Sequence, residues 1–391
     1  MQLFGQPLDI PFFEEYIPPE RAQEILSQPI HPRTLKGYLD VANALNITGN
    51  RKGAEVIIRK AVALERNCVS LSNYAFILQT NGKYEEAFPI AAEAYSLEPT
   101  NKWAAVLYAE ALIRMEQWEE GWSIREKFYW DTHWGKFALA FPIWNGQDLR
   151  GKRIAVPNFE GYGDCIMYFA WVRLLKELGA RVVFYCDENI VPLFNGHPWL
   201  HQVRPIVKKE VYFGMEHFDY FLPLAALPNH FNTSPRPIPW WGPYLAGDIR
   251  FRHRSEGKPV VGLCSKAGEL TAQFSTRTLS PTQKQGLLSI DSVEWISLDF
   301  GEQPLIRDWS DTAALIRELD WVVSVDTGVA HLAGAMGKET WVMVNGGVTA
   351  SWYGLNRTQS AFYPSMRLFR NGAPGLENAV SKVKEEIIGK T

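Results

Sequence analysis

The chain has 391 residues, 46% of them hydrophobic and 15 of them tryptophan, which is enough apolar material for the cores of two or three domains. The formal net charge of −3 excludes a global basic field of the kind that attracts nucleic acid without sequence preference. The four cysteines are far apart and form no CxxC pair, which argues against a disulfide framework or a zinc site and fits a reducing compartment.

Residues 1–36 are predicted to form an extension that precedes the first repeated unit. The first twenty residues are acidic and interrupted by proline, which is unlike a secretory signal peptide. No apolar run in the chain approaches the roughly 20 residues that a helix needs to span a bilayer. We therefore expect a cytoplasmic protein without a membrane span.

Residues 37–135 are predicted to form helical repeats, each a helix, a short turn and a second helix. A period near 34 with small residues at fixed positions is typical of tetratricopeptide repeats, and three units are about the minimum for a stable stack. Such stacks have a concave surface for peptides or protein partners. A purely bracing role fits the same positions, so both interpretations stay open. The small residues that recur at spacings of 33 and 34 are Ala42, Ala75 and Ala109, and Ala54, Ala87 and Gly121.

After the repeats, strands alternate with helices in two successive halves. Each half begins with a buried strand, which predicts two Rossmann-like domains that face a cleft. We place the first domain at 136–250 and the second at 251–391, with a hinge at 235–258. The predicted strands are 153–159, 181–186, 220–224, 259–264, 293–299, 321–326 and 340–345, and the predicted helices are 164–180, 311–320, 329–336 and 375–390.

The segment VVSVDTGVAHLAGAMG, residues 322–337, carries the strongest functional signal in the chain. A buried strand leads through Asp326, Thr327 and Gly328 into a helix of small residues, and aspartate and threonine are common helix caps. Free N–H groups and the positive end of a helix dipole then lie at the carboxyl edge of a parallel sheet, where α/β folds bind phosphate. His331, about one turn into the helix, is within reach of a phosphate or sugar oxygen. The alternative is that Asp326 only caps the helix and His331 only packs.

A second segment, NFEGYGDCIMYFAWV at 158–172, also follows a strand and opens a helix. Gly161 and Gly163 permit a tight turn and the close approach of a ligand. Asp164 is either an N-cap, which stabilises a helix by roughly 1 kcal/mol, or a carboxylate at the mouth of the cleft that acts as a general base. The glycine spacing is too short for a dinucleotide fingerprint, so no NAD site is predicted.

Together these segments, in this order, resemble bacterial tetratricopeptide-containing proteins with a heptosyltransferase-like domain. That domain is similar to the ADP-heptose:lipopolysaccharide heptosyltransferases of glycosyltransferase family nine, which have the GT-B fold. The resemblance runs, with gaps, from about residue 37 to the end. It implies α-helical tetratricopeptide repeats followed by an α/β GT-B fold, with an acceptor domain at 136–250 and a nucleotide-sugar donor domain at 251–391.

The resemblance also implies roles for single residues. Asp164 matches the aspartate that is taken as the base for the acceptor hydroxyl. Asp326 and Thr327 match the pair that contacts the sugar and the diphosphate, with backbone amides near Gly328. His331 matches the histidine beside the diphosphate.

The resemblance also matches Lys266 to a position where the family often has a basic or polar residue facing the donor. It matches Arg277 to a position where the tetratricopeptide-containing members often have an arginine. The sequence has no DxD motif beside a strand and no His/Asp ligand set. The charge on a departing diphosphate must then be met by a helix dipole, amides and basic side chains. We therefore expect no metal and no cofactor, with a nucleotide-diphosphate sugar as co-substrate.

The expected function is glycosyl transfer to a hydroxyl of a glycan, a protein or modified DNA, with a possible protein partner on the repeats. The alternative from another class is a non-catalytic tetratricopeptide scaffold with a vestigial GT-B cleft. A nucleotide-sugar epimerase would share the two-domain architecture, but such enzymes lack the repeat module.

Overall fold

The computed structural model describes residues 19–27, 32–130, 141–206, 217–231, 240–250, 257–268, 277–347 and 354–391. These residues form a stack of helices followed by two parallel β-sheets with helices around them. No helix in these ranges combines the length and the apolar character that crossing a membrane requires.

The stack of helices contains the predicted repeats as antiparallel pairs, α2 with α3, α4 with α5 and α6 with α7, and α1 packs against α2. Polar side chains begin several of the helices: Thr34, Asn50, Asn67 and Asn101 each accept a hydrogen bond from a backbone N–H in the first turn. The helices are α1 (Pro19–Ser27), α2 (Leu35–Ile47), α3 (Arg51–Leu64), α4 (Cys68–Thr80), α5 (Tyr84–Leu97), α6 (Lys102–Arg114) and α7 (Trp118–Tyr129).

The turns inside the three pairs share one backbone feature. Gly49, Gly82 and Glu116 occupy equivalent positions and all have a positive φ, of 85°, 75° and 63°. A glutamate adopts this left-handed conformation less readily than glycine does. Nε and Nη2 of Arg357, which belongs to the second half, each lie 2.6 Å from the Glu116 carboxylate. The turn of the third repeat is therefore held by an ion pair to the following part of the chain.

The first sheet is parallel, with the strand order β3-β2-β1-β4. After an arginine at the start of each, its two central strands are mostly buried apolar residues, as expected for strands that are covered on both faces. The strands are β1 (Arg153–Pro157), β2 (Arg181–Asp187), β3 (Gln202–Ile206) and β4 (Tyr220–Phe221), and the helices are α8 (Tyr162–Phe169), α9 (Val172–Glu177), α10 (Val191–Phe194) and α11 (Leu227–His230).

The single helix predicted at 164–180 is wrong in one respect, because the structure divides it into α8 and α9 at Ala170 and Trp171. The backbone tightens to i→i+3 hydrogen bonds at this point. Trp171 is fully buried there, and its ring meets that of Trp122 on α7 edge to face at 5.7 Å between centroids. Packing against the repeats thus accompanies the break, and the residues of α8 and α9 alone do not reveal it.

The second sheet is also parallel, with the order β6-β5-β7-β8-β9. Two edge strands, β3 and β9, were not predicted: β3 contains a proline, and both carry arginines that blur the apolar pattern. The strands are β5 (Val260–Cys264), β6 (Glu294–Ser297), β7 (Trp321–Val325), β8 (Thr340–Val344) and β9 (Met366–Arg370), and the helices are α12 (Pro281–Leu288), α13 (Trp309–Glu318), α14 (Gly328–Ala335) and α15 (Glu377–Lys390).

The repeats and both sheets share one hydrophobic core. This cluster of buried residues includes Trp118 and Trp122 of α7, apolar residues of β1 and β2, and apolar residues of β5, β7 and β8. Of the described residues of the predicted hinge, 240–250 and 257–258, Tyr244 and Leu245 are buried in this core and Trp240 packs against it. Tyr244 donates to the carbonyl of Ile166 on α8 at 3.0 Å, and its backbone N–H donates to Ala335 on α14 at 2.9 Å. The remaining hinge residues, 235–239 and 251–256, lie outside the described ranges.

The predicted domain boundaries near residues 135 and 250 fall at or beside ranges that the structure does not describe, and they stay predictions. The fold class is confirmed: helical repeats are followed by two Rossmann-like units, as expected for a GT-B arrangement.

Candidate functional site

The candidate site lies at the carboxyl ends of the strands, at the point in each sheet where the strand order reverses. Strand order reverses between β1 and β4 in the first sheet and between β5 and β7 in the second. Ligands of open α/β sheets bind outside the carboxyl ends of the strands at such points. The loop after β1 leads into α8 and the loop after β7 leads into α14, and the amino-terminal ends of these two helices pack against each other.

Two glycines permit this close approach of the helices. A Cβ atom added to Gly163 would lie 2.9 Å from Cδ2 of His331 and 3.6 Å from Cα of Gly328. A Cβ atom added to Gly328 would lie 3.4 Å from the backbone nitrogen of Gly163 and 2.6 Å from the ring of Trp309. The Gly-x-Gly-Asp turn and the Asp-Thr-Gly turn, predicted separately, thus form one site.

Gly163→Ala is expected to destabilise the protein and to impair the site, because the new methyl group meets His331 below contact distance. Overpacking of this kind costs typically about 1–3 kcal/mol. The matched control is Gly161→Ala, where the added Cβ would meet only the Asp164 carboxylate at an ordinary 3.5 Å. Thermal unfolding should show a lower Tm for Gly163→Ala than for Gly161→Ala. Equal Tm values would contradict the close packing of α8 on α14.

Thr327 begins α14, since its side chain accepts a hydrogen bond from the N–H of Val329 at 3.2 Å. Asp326 is therefore not the helix cap, and the interpretation that it only caps is wrong. Its carboxylate is 4% exposed and accepts a hydrogen bond from Nη1 of Arg277 at 3.1 Å. Sγ of Cys264, at the end of β5, lies 3.6 Å from Oγ1 of Thr327 across the switch point. The donor-side residues Asp326, Thr327 and Arg277 are thus brought together.

His331 is buried on α14, and its Nδ1 lies 3.1 Å from the hydroxyl oxygen of Tyr363. Burial lowers the pKa of His331 to about 4, partly offset by Asp326 and reinforced by Arg277. The imidazole is therefore neutral at pH 7. It can supply a hydrogen bond at the junction with Gly163, but not a positive charge.

Asp164 is the third residue of α8, which begins after Gly161 with no side-chain cap. The N-cap interpretation of Asp164 is therefore wrong. Oδ1 of Asp164 is buried and has no hydrogen-bond partner among the described residues. Leaving a buried acceptor unpaired costs about 1–3 kcal/mol, and more for a charged group. An unsatisfied carboxylate oxygen beside two converging helix ends marks a place for a hydrogen-bond donor from a ligand.

The environment of Asp164 favours its protonated form. Burial, and after it the nearby charge of Glu160, raise the pKa of Asp164 to about 7, against the opposing effect of Arg125. Glu160, on the loop before α8, is itself buried, and burial raises its pKa as well. Arg125 comes from α7 of the third repeat. The sequence analysis did not select Glu160 or Arg125.

Lys266, a predicted donor-side residue, pairs with an acidic residue in this structure. Its ammonium lies 2.6 Å from Oε1 of Glu302, and its side chain is 54% exposed. Its backbone N–H donates to Asp299 at 3.0 Å. A role in donor binding would require the ion pair with Glu302 to open, and this role stays a prediction.

Aromatic residues from both halves cover the meeting point of the helices. The rings of Tyr162, on α8, and Trp309, on α13, lie 5.1 Å apart between centroids. The hydroxyl of Tyr162 donates to Oδ1 of Asp187 at 2.9 Å. The Trp309 ring also lies beside Gly328, so this aromatic pair borders the junction of α8 and α14.

Comparisons with known proteins were made for the whole chain. Residues 78–121 match the family model of the tetratricopeptide repeat, which confirms the predicted repeats. Protein FlbA of Caulobacter vibrioides is 24% identical over 305 residues, which are 67% of this chain and 50% of that protein. The chain therefore spans about half the length of this curated relative.

Two solved structures with similar folds are both described as glycosyltransferases. A family nine glycosyl transferase from Veillonella parvula is 12% identical, with 63% of this chain and 100% of that chain covered and a TM-score of 0.45. An O-GlcNAc transferase mutant from Thermobaculum terrenum is 15% identical, with 86% and 80% covered and a TM-score of 0.34.

Proposed function

We propose that this protein is a glycosyltransferase that moves a sugar from a nucleotide-diphosphate sugar to an acceptor hydroxyl, with Asp164 as the general base. The observation that carries the proposal is the unpaired, buried Oδ1 of Asp164 beside the junction of α8 and α14. Asp164 follows Gly163, which packs against His331 and Gly328, so the proposed base of one half is next in the chain to the contact with the start of α14 in the other half. This is the arrangement that transfer between two bound substrates needs.

On the donor side, the amino-terminal end of α14 meets the diphosphate. The dipole of this helix favours negative charge at its amino-terminal end. Arg277 adds a guanidinium that Asp326 holds in place at 3.1 Å. The neutral ring of His331 contacts the Tyr363 hydroxyl through Nδ1, and its Nε2 lies on the side of Gly163. The leaving diphosphate is stabilised by these groups, without a metal or another cofactor.

On the acceptor side, the hydroxyl donates its hydrogen bond to Oδ1 of Asp164. As the new bond forms between the acceptor oxygen and the anomeric carbon, the proton passes to Asp164 and the bond to the diphosphate breaks. A base of this kind contributes typically about 10²- to 10⁴-fold to the rate. The acceptor is a glycan, a protein or modified DNA, and the repeats offer a surface on which a protein partner can bind.

The rate of transfer is expected to rise with pH around neutrality, because Asp164 accepts a proton only when ionised. With the pKa of Asp164 raised to about 7, kcat/KM should fall about tenfold per pH unit well below pH 7 and level off above it. The measurement is kcat/KM between pH 5 and 9 at constant ionic strength. A profile that stays flat down to pH 5 would argue against Asp164 as the base.

A second candidate function is a non-catalytic scaffold. It is favoured by the tight packing of Gly163 on His331 and by the burial of Oδ1 of Asp164 in this structure. Ligand binding separates the two candidates. A thermal-shift screen with nucleoside diphosphates and nucleotide sugars should give selective stabilisation by one nucleotide, because a ligand that binds only the folded protein raises its stability. No shift at millimolar ligand would support the scaffold.

A further inference from the structure

Arg125 of the third repeat is buried beneath the start of α8. Its side chain is 8% exposed, and it lies 3.6 Å from Glu110 on α6 and 4.0 Å from Glu160 on the loop before α8. It also donates to the hydroxyl of Tyr168, one turn after Asp164 on α8. The repeat thus places a guanidinium among the carboxylates that surround the candidate base.

The charges around Asp164 come from several elements. Of the described charged groups that act on Asp164, Arg125 is the cation, and Glu160, Glu110 and Asp326 are acids. The uncharged titratable groups around Asp164 include Cys165 and Tyr168 on α8, Tyr129 on α7 and His331 on α14, the last in contact with the neighbouring Gly163.

Buried carboxylates repel one another, and burial of each charge is costly unless it is paired. With Arg125 in place, the cluster can hold an ionised carboxylate. Without Arg125, Asp164 would keep its proton to higher pH. The position of α7 against α8 therefore governs the charge on Asp164, even though Arg125 touches Tyr168 and Glu160 and not the reacting atoms.

We propose that Arg125 and Glu160 are positioning residues that set, in opposite directions, how readily Asp164 carries its negative charge. This inference rests on the glycosyltransferase function proposed above. It makes the third repeat a working part of the catalytic centre and not only a brace.

The test compares Arg125→Met and Glu160→Gln with the wild-type chain. Arg125→Met removes the cation and should move the acidic limb of the kcat/KM profile to higher pH by about one unit. Glu160→Gln removes the neighbouring acid and should move this limb to lower pH by a similar amount. Arg125→Lys keeps the charge and should restore most of the wild-type position. Equal loss of rate at every pH, with the limb unmoved in both variants, would show a purely structural role and overturn the proposal.

A second readout separates this inference from the proposed function and does not need activity. Full-length protein is labelled with 13C at the aspartate side-chain carboxyl, and the Asp164 signal is assigned by its loss in Asp164→Asn. Its titration midpoint should move up in Arg125→Met and down in Glu160→Gln. If the Asp164 midpoint moves in opposite directions in the two variants but the protein transfers no sugar, the inference about charge is upheld and the proposed glycosyltransferase function is refuted. If Arg125→Met does not fold, the inference is tested with Glu160→Gln and Arg125→Lys. An unchanged titration midpoint of Asp164 in Glu160→Gln then overturns the inference.

Discussion

Asp164→Asn is expected to reduce sugar transfer by about 10²- to 10⁴-fold while leaving the affinity for the nucleotide nearly unchanged. The amide has the shape of the carboxylate but cannot accept the proton of the acceptor hydroxyl. Nucleotide binding should survive because the donor-side groups, Asp326, Thr327 and Arg277, belong to the other half of the molecule. The measurements are steady-state transfer and calorimetric titration with the nucleotide diphosphate.

The control for this substitution is Asp148→Asn, which changes an exposed aspartate of the same half that pairs with Arg150. It should leave both transfer and affinity at wild-type values. If Asp164→Asn lost nucleotide affinity together with transfer, Asp164 would have a structural role and would not be the base.

Arg277→Met is expected to weaken nucleotide-diphosphate binding by roughly 10- to 100-fold, the range that corresponds to the loss of a charge-assisted hydrogen bond. Part of this loss arises because the substitution leaves the buried Asp326 carboxylate without its ion pair to Arg277. Asp326→Asn in the same chain separates the two effects in a double-mutant cycle.

Lys266→Met gives the comparison for Arg277→Met. The Lys266 ammonium is largely exposed and already paired with Glu302, so its removal should weaken nucleotide binding less than the removal of Arg277. A larger loss for Lys266→Met would show that the ion pair with Glu302 opens for the donor and that Arg277 is not the main cation.

Much of the fold can be predicted from the sequence because its signals are local. The strands β5, β7 and β8 are runs of apolar residues bounded by turn-forming residues. The helix α14 has its cap, Thr327, directly after such a strand. In the repeats, Ala42, Ala75 and Ala109 are all fully buried, as their fixed spacing predicts.

The surroundings of Asp164 could not be predicted in the same way, because they come from three distant parts of the chain. Glu110 and Arg125 are more than 35 residues from Asp164, and no spacing rule connects them. One signal was available: Arg125 lies three residues after Trp122 and four before Tyr129, on the same face of α7. A charged residue on an otherwise aromatic face indicates a buried partner across an interface.

The pairing of the Lys266 side chain with Glu302 also could not be predicted from the sequence. Its place after β5 puts it at the correct edge of the sheet, but the pairing with Glu302 depends on a loop after β6. Strand position predicts where a backbone lies, whereas the choice between two partners for a long, flexible side chain depends on tertiary geometry.

The most direct test of the central claim is release of nucleotide diphosphate from a panel of nucleotide sugars, with and without a mixture of glycan and protein acceptors, by wild-type protein and by Asp164→Asn. We expect that one nucleotide sugar is consumed in an acceptor-dependent reaction, that mass spectrometry finds the corresponding sugar on an acceptor, and that Asp164→Asn abolishes both. Selective nucleotide binding without any transfer, or equal transfer by the two proteins, would contradict it.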